Sequence, residues 1–223
     1  MRPERVVVLT AVAVLVATFA EAATVMGRVD FLTRRGQRPN RAETLVWLEG
    51  PGVKPLAPSS FRITTRAKTL IPHILAIPVG SSVEFPNEDP VAHNLFSLSS
   101  PNQFDLGFYR RGAGKRRTFD HPGLVNVYCN VHPTMSAVIH VMSTPHYSLT
   151  NGQGSFSIVD VAPGTYRAYA WNEMGGLAES ELIVADGPSP IELMLTIDGT
   201  RYRPEQHLDK DGKPYSRSNR RDY

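Results

Sequence analysis

Short runs of apolar and β-branched residues alternate with turns along the chain from Thr24 to Ile197. The turns are rich in Gly, Pro and Asn, in keeping with 18 Pro and 17 Gly among 223 residues. After the N-terminal apolar run, no segment keeps the 3.6-residue repeat of an amphipathic helix. The pattern predicts an all-β protein, with a Greek-key sandwich or barrel followed by a smaller β-sandwich.

The N-terminus has the pattern of a secretory signal. Arg2 and Arg5 precede the apolar run 6–19, and Ala20-Glu21-Ala22 is a small-x-small cleavage site. The alternative, a membrane anchor, is disfavoured because about 20 apolar residues are needed to span a bilayer. We therefore expect residues 1–22 to be removed and the mature chain to be exported to the periplasm, with no membrane span.

Strand pattern and charge divide the mature chain into three parts. Residues 23–143 and 144–199 each hold a series of strand candidates, which predicts two β units. Residues 200–223 lack periodicity and carry seven Lys/Arg against four Asp/Glu, which predicts a basic disordered tail. This tail accounts for the whole formal charge of +3, so the folded body is neutral and we expect no nucleic-acid partner.

Cys129 is the only cysteine of the chain, and an unpaired cysteine in an exported protein needs an explanation. It opens the sequence Cys-Asn-Val-His-Pro-Thr-Met, which ends at Met135 between two strand candidates. One loop thus presents a thiolate, an imidazole and a thioether, three of the four ligands of a blue-copper site. The alternatives are a buried apolar cysteine and a core methionine.

A second imidazole is available in the earlier segment Phe-Pro-Asn-Glu-Asp-Pro-Val-Ala-His-Asn, residues 85–94. This segment and Tyr-Cys-Asn-Val-His-Pro-Thr-Met, residues 128–135, resemble the ligand pattern of the cupredoxin family of plastocyanin-type proteins. The two-residue spacings Cys-x2-His-x2-Met are most similar to those of amicyanin. The resemblance covers about residues 23–143 and implies one type 1 copper ion held by His93, Cys129, His132 and Met135.

The resemblance also implies roles beside the ligands. His93 would be the buried imidazole, and the ring edge of His132 would reach the surface. Asn94 would steady the cysteine loop, and Asn130 and Pro133 would support the ligands next to them.

Other metal and enzyme chemistries lack their residues. A single cysteine excludes both the Cys-x-x-Cys-His haem motif and a binuclear copper centre with two bridging cysteines. No His-x-His pair of a multicopper oxidase is present. A Cys129/His132 nucleophilic pair has no third group to orient it, so we expect no enzyme. The remaining histidines are expected to be structural or solvated.

The second unit has its own resemblance. Its pattern of Gly-x-Phe, then Pro-Gly-x-Tyr, then a strand ending in Trp is similar to the carboxypeptidase regulatory-like, or transthyretin-like, β-sandwich. The residues that carry it are Gly154, Phe156, Pro163, Gly164, Tyr166 and Trp171. The resemblance implies packing or interaction rather than catalysis. The order of the two units resembles exported copper proteins labelled methylamine-utilisation-like.

Five cations lie within residues 110–117, namely Arg110, Arg111, Lys115, Arg116 and Arg117. We expect strands at 115–119 and 124–129 to form a hairpin, which would bring this basic turn to the copper end of the barrel. There it would steer an acidic partner toward the metal. The alternative is a solvated turn.

The leading hypothesis is an electron carrier between redox proteins, such as a c-type cytochrome and a periplasmic dehydrogenase. The first alternative is a copper-binding or copper-delivery module without electron transfer, which the scattered positions of the six methionines disfavour. The second alternative is an interaction protein whose metal is structural.

Overall fold

The computed structural model describes residues 22–50, 53–187, 190–203 and 206–215. Within these ranges the chain forms seventeen strands and one short 3-10 helix, and no helix there is long and apolar enough to cross a membrane. The all-β prediction is confirmed. The predicted signal segment, except Ala22, lies outside the described residues, as do residues 204–205 and 216–223 of the predicted tail.

The strands of the first half are β1 (Ala23–Leu32), β2 (Leu45–Glu49), β3 (Ser60–Arg62), β4 (Thr64–Arg66), β5 (Thr69–Ile71), β6 (Ile74–Pro78), β7 (Ser81–Asn87), β8 (Leu95–Ser97) and β9 (Phe104–Asp105). Those of the second half are β10 (Gly112–Phe119), β11 (Gly123–Cys129), β12 (Ser136–Met142), β13 (Tyr147–Leu149), β14 (Ser155–Val161), β15 (Gly164–Asn172), β16 (Gly176–Val184) and β17 (Ile191–Asp198). The 3-10 helix is Arg41–Glu43.

Two of the four sheets enclose one hydrophobic core. One sheet has the order β10-β7-β4-β5, with β3 beside β7, and the other has the order β6-β12-β11-β8-β9. Alternate residues of their strands, such as Val83 and Phe85 of β7 and Val125 and Val127 of β11, are fully buried between them. All residues of this core lie between Phe61 and Val141, and we call it the contiguous core.

The other two sheets enclose a second core. Their orders are β14-β1-β17 and β13-β2-β15-β16. The core combines residues of β1 and β2 near the N-terminus, such as Val29 and Leu48, with residues 156–197 near the C-terminus. We call it the discontinuous core.

The predicted first unit, residues 23–143, does not match this strand pairing. β1 pairs with β14 on one side and lies parallel to β17 on the other, while β2 pairs with β13 and β15. The first two strands therefore belong to the unit predicted for residues 144–199. The alternation of apolar residues identifies a strand and its buried face, but it does not specify which strand lies beside it.

The predicted hairpin between β10 and β11 is also wrong. β10 pairs with β7, and both neighbours of β11 are other strands, β8 and β12. Residues 120–122 thus connect the two sheets around the contiguous core. Gly114 sits at the irregularity in β10 with φ of +76°, so close to the Phe85 carbonyl that a side chain has no room.

The two cores are joined through the outer face of β12. His140 on that face is buried, and its ring lies 4.5 Å from that of Trp171 and 6.2 Å from that of Trp47, measured between centroids. At the edge of this contact, His73 Nε2 lies 2.6 Å from Glu173 Oε2. The strand that follows the predicted ligand loop is therefore packed on both faces.

Candidate metal centre

The predicted ligands come from two neighbouring strand ends. His93 lies between β7 and β8, and its backbone exchanges two hydrogen bonds with Tyr109, at 3.1 and 3.0 Å. Cys129 ends β11, where it lies opposite Leu95 of β8. His132 is in the turn between β11 and β12. The sheet thus brings His93 beside the Cys129 loop although 36 residues separate the two ligands.

Three donor atoms face one another at this end of the contiguous core. Cys129 Sγ lies 3.7 Å from His93 Nδ1 and 3.6 Å from His132 Nδ1, and all three atoms lie within 4.8 Å of one another. A first-row metal ion bonded to nitrogen at about 2.0 Å and to sulfur at about 2.3 Å, with an angle near 120° between them, holds these donors about 3.7 Å apart. The two sulfur–nitrogen distances therefore fit a metal ion held between the three donors.

Met135 closes the turn that carries His132. Its amide donates to the His132 carbonyl at 3.0 Å, and its carbonyl accepts from the Cys129 amide at 3.2 Å. Its side chain is buried in the contiguous core together with Cys129. A thioether thus lies among the residues around the three donors, and its role as the weak fourth ligand stays a prediction.

Asp89 supports His93 from behind. Its carboxylate lies 2.9 Å from His93 Nε2 and accepts from the amides of Ala67 and Lys68 at 2.6 and 2.8 Å. Because Nε2 is engaged with a carboxylate, Nδ1 is left free to face the sulfur, which is the arrangement that orients a metal-binding histidine. The sequence interpretation missed this residue, although its position four residues before His93 was a usable signal.

Burial sets the protonation of the metal-free site. Burial raises the pKa of the Cys129 thiol, although hydrogen bonds from the backbone amides of Val131, His132 and Asn94 act to lower it. Burial also lowers the pKa of both imidazoles. For His93 the hydrogen bond and charge of Asp89 act in the opposite direction. Burial would raise the pKa of Asp89 as well, but its hydrogen bonds from Lys68, His93 and Ala67 lower it overall. The site is thus a thiol with two neutral imidazoles, and metal binding must release the thiol proton.

The residues predicted to support the ligands are tied to each other. The Asn130 amide donates to the Asn94 carbonyl at 2.8 Å, and Asn94 Nδ2 donates to Asp105 Oδ1 at 2.5 Å. Pro133 is half-buried in the turn after His132. The residue after His93 is therefore bonded directly to the residue after Cys129, which fixes the two ligand-bearing segments relative to each other.

His132 is the least buried of the three donor residues. The residue is half-buried, and its Nε2 atom is buried with no hydrogen-bond partner among the described residues. The exposure of its ring edge therefore stays a prediction, although its Nε2 nitrogen does not reach the surface.

The five predicted docking cations lie in different surroundings. Arg110 and Arg111 directly follow Tyr109, whose backbone is bonded to His93, so they lie near the metal end. Arg116 is paired with Glu84, on a strand pair that runs away from the site. Lys115 donates to the Leu106 carbonyl. Arg117 is exposed farther along β10.

Residues 206–215 of the predicted disordered tail make specific contacts with the candidate site. Lys210 bonds to Asn130 and Asp105, and Tyr215 bonds to the Cys129 carbonyl. The polar composition of the tail predicted disorder because it cannot form a core of its own. It carries instead a few side chains that complement a surface formed elsewhere in the chain.

No family model matches this chain, and no curated protein matches it. Solved structures similar to it include the purple cupredoxin from Nitrosopumilus maritimus, with 26% identity over 36% of this chain and 98% of that protein, at a TM-score of 0.32. The Cu-containing nitrite reductase from Thermus scotoductus SA-01 is 25% identical over 51% of this chain but only 28% of the reductase chain, at a TM-score of 0.36. An oxidised amicyanin variant is 16% identical over 43% of this chain and 99% of the amicyanin chain, at a TM-score of 0.35. TM-scores below 0.5 do not establish a shared fold, so the metal assignment rests on the donor geometry.

Proposed function

We propose that this chain is an exported mononuclear type 1 copper protein that carries single electrons between periplasmic redox partners. The observation that supports this most directly is the convergence of Cys129 Sγ and two imidazole Nδ1 atoms at 3.6 and 3.7 Å on one buried strand end. Two imidazoles and one thiolate in a trigonal arrangement, with a thioether nearby, are the donor set of blue-copper electron-transfer sites.

The residues around the site suit a rigid electron-transfer centre. His93 is held by Asp89 and by the backbone of Tyr109, and the Cys129 loop is closed by the backbone of Met135. When bound, copper would supply a one-electron couple between its two oxidation states. The fixed strands would limit the movement of the ligands between those states, and the apolar core around Cys129 would exclude water.

The test is the absorption of the protein with Cu(II). We expect one equivalent of Cu(II) to give the mature protein an intense blue colour from the Cys129 thiolate. Cys129→Ser is expected to lose the colour while keeping the fold. His121→Ala, outside the site, is the matched control and is expected to stay blue. A colourless copper complex of the wild-type protein would reject the type 1 assignment.

Copper binding for delivery is the second candidate. The burial of His132 Nε2 favours it, because a partner cannot hydrogen-bond to that nitrogen to form a direct path for electrons. The electron self-exchange rate and the rate of copper transfer to a chelator separate the two functions. Fast exchange with slow metal loss supports the carrier, and the opposite result supports delivery.

The partners we propose are redox proteins with acidic docking surfaces, such as a c-type cytochrome or a periplasmic dehydrogenase. Arg110 and Arg111, next to the residue bonded to His93, are the cations placed to steer such a partner. For the unit around the discontinuous core we propose a packing or interaction role, without catalysis. Asn172 there donates to the carbonyls of Asn40 and Glu43, which gives it a structural role.

A further inference from the structure

The described residues 206–215, which we call the C-terminal segment, lie against the strand ends that carry the candidate ligands. The His207 ring stacks on that of Tyr128 with centroids 4.1 Å apart and planes 13° from parallel. Tyr128 precedes Cys129 and packs against Phe96 of the neighbouring strand. The segment therefore meets the protein at the residues next to the thiolate.

Lys210 links the loop after Cys129 to Asp105 of β9. Its amide donates to Asn130 Oδ1 at 3.0 Å, and its ammonium group lies 2.8 Å from Asp105 Oδ2. The other oxygen of Asp105 accepts from Asn94 at 2.5 Å, and Asn94 in turn accepts from the Asn130 amide. These contacts form a closed ring through the residue after His93, the residue after Cys129 and the C-terminal segment.

Tyr215 holds the cysteine itself. Its hydroxyl donates to the Cys129 carbonyl at 2.7 Å, and the hydroxyl oxygen lies 3.3 Å from His207 Nδ1. Between these two anchors the segment is folded into a tight turn, in which the Asp209 carboxylate accepts from the amides of Asp211 and Lys213 at 3.0 and 2.8 Å. The turn brings Lys210 and Tyr215 to the same surface.

We propose that the C-terminal segment is a positioning element of the metal centre, in which Lys210 and Tyr215 hold the Cys129 loop in register with the strand end of His93. The Tyr215 hydroxyl supplies a side-chain hydrogen bond to the Cys129 carbonyl, in addition to the backbone bonds of the strand. Without Tyr215 the loop would keep its amide bonds to Met135 and Asn94 but lose its outer support. Supporting contacts of this kind change metal affinity by about 10- to 100-fold when they are removed.

The first test compares two truncations. A mature chain ending at Arg203 lacks the segment, and a chain ending at Tyr215 keeps it while losing residues 216–223 with Arg217, Arg220 and Arg221. In the metal-free proteins, we expect Cys129 to react several-fold faster with a small thiol reagent in the shorter chain, and at the wild-type rate in the longer one. Equal rates in all three proteins would overturn the proposal. This readout needs no copper, so it is independent of whether the site is of type 1.

The second test uses side-chain changes in the full mature chain. Tyr215→Phe removes one hydroxyl, and Lys210→Met keeps the length of the side chain without its charge. We expect each to shift the thiolate absorption and the reduction potential of the copper form, and to speed copper loss to a chelator about tenfold, with unchanged cooperative unfolding. Lys213→Met, in the same turn, is the control. A merely structural segment would change unfolding and leave the absorption and potential as in the wild type, which would also overturn the proposal.

Discussion

The contiguous and the discontinuous core are similar in construction, each enclosed by two sheets, but they differ in the part of the chain that supplies them. Every residue of the contiguous core comes from Phe61 to Val141, and the candidate ligands Cys129 and Met135 belong to it. The discontinuous core needs residues 23–48 together with residues 156–197. The site therefore lies in a unit whose core is complete within one continuous stretch of chain. The core of the other unit is complete only when nearly the whole chain is present.

The largest expected effect comes from cutting the chain at two different places. A fragment of residues 59–143 retains every strand that encloses the contiguous core, so we expect it to unfold cooperatively and bind one copper ion. A fragment of residues 23–143 adds β1 and β2 without their partners β13 to β17. Its unpaired strands expose apolar faces and backbone edges, so we expect aggregation. Soluble yield, thermal unfolding and copper stoichiometry measure the difference.

The complete mature chain is the control for both fragments. A lower melting temperature is expected for residues 59–143, because the outer face of β12 loses its contacts with Trp47 and Trp171. Equal solubility of the two fragments, with β1 and β2 protected from hydrogen exchange in the longer one, would show that these strands have another folding partner.

The same contrast explains which features the sequence could predict. Strands and ligand spacing are local: the alternation in β11 and the seven residues from Cys129 to Met135 can be identified without knowing their neighbours. The parallel pairing of Val25 with Ile191 cannot, because the apolar alternation of β1 fits many partners equally well. The strands β3, β4, β5 and β9 have only two or three residues each, so apolar alternation alone does not identify them.

The residues of the candidate site also fall into two groups, those that local spacing identifies and those that depend on distant contacts. Its Cys, His and Met residues were predicted from their types and spacing. The contacts of Lys210 and Tyr215 join residues 80 and 86 positions apart through single hydrogen bonds, and no periodic pattern marks such contacts. The tail was predicted to be disordered because its polar composition gives no sign of these single long-range contacts.

A change confined to the contiguous core gives the next largest effect. Asp89→Asn keeps the size of the side chain but removes the charge that orients His93, so we expect copper affinity to fall by about 10- to 100-fold. The discontinuous core lies outside these contacts, so its unfolding is expected to stay unchanged. Competition with a chelator of known affinity measures the loss.

Glu88→Gln is the matched control for Asp89→Asn. Glu88 is the neighbouring carboxylate, but it is paired with Arg66 at the surface, at 2.6 Å. We expect wild-type copper affinity in this variant. If Asp89→Asn binds copper as tightly as Glu88→Gln, then Asp89 does not orient His93 in the metal-bound protein.

The smallest expected effect concerns the link between the two cores. The hydrogen bond to Glu173 raises the pKa of His73, while burial opposes it. A histidine with a raised folded-state pKa adds stability that is complete below its ordinary pKa near 6.5 and disappears as the pH rises through the raised value. Because Glu173 is 43% exposed, we expect the link to contribute only about 1 kcal/mol or less.

The difference in unfolding free energy between the wild type and His73→Gln should therefore be present at pH 6 and shrink by pH 9. Other buried histidines cancel in this difference, and Glu173→Gln should reproduce it. A difference that does not vary with pH would mean that His73 joins the cores through its 3.0 Å contact with the Ser136 carbonyl and not through charge.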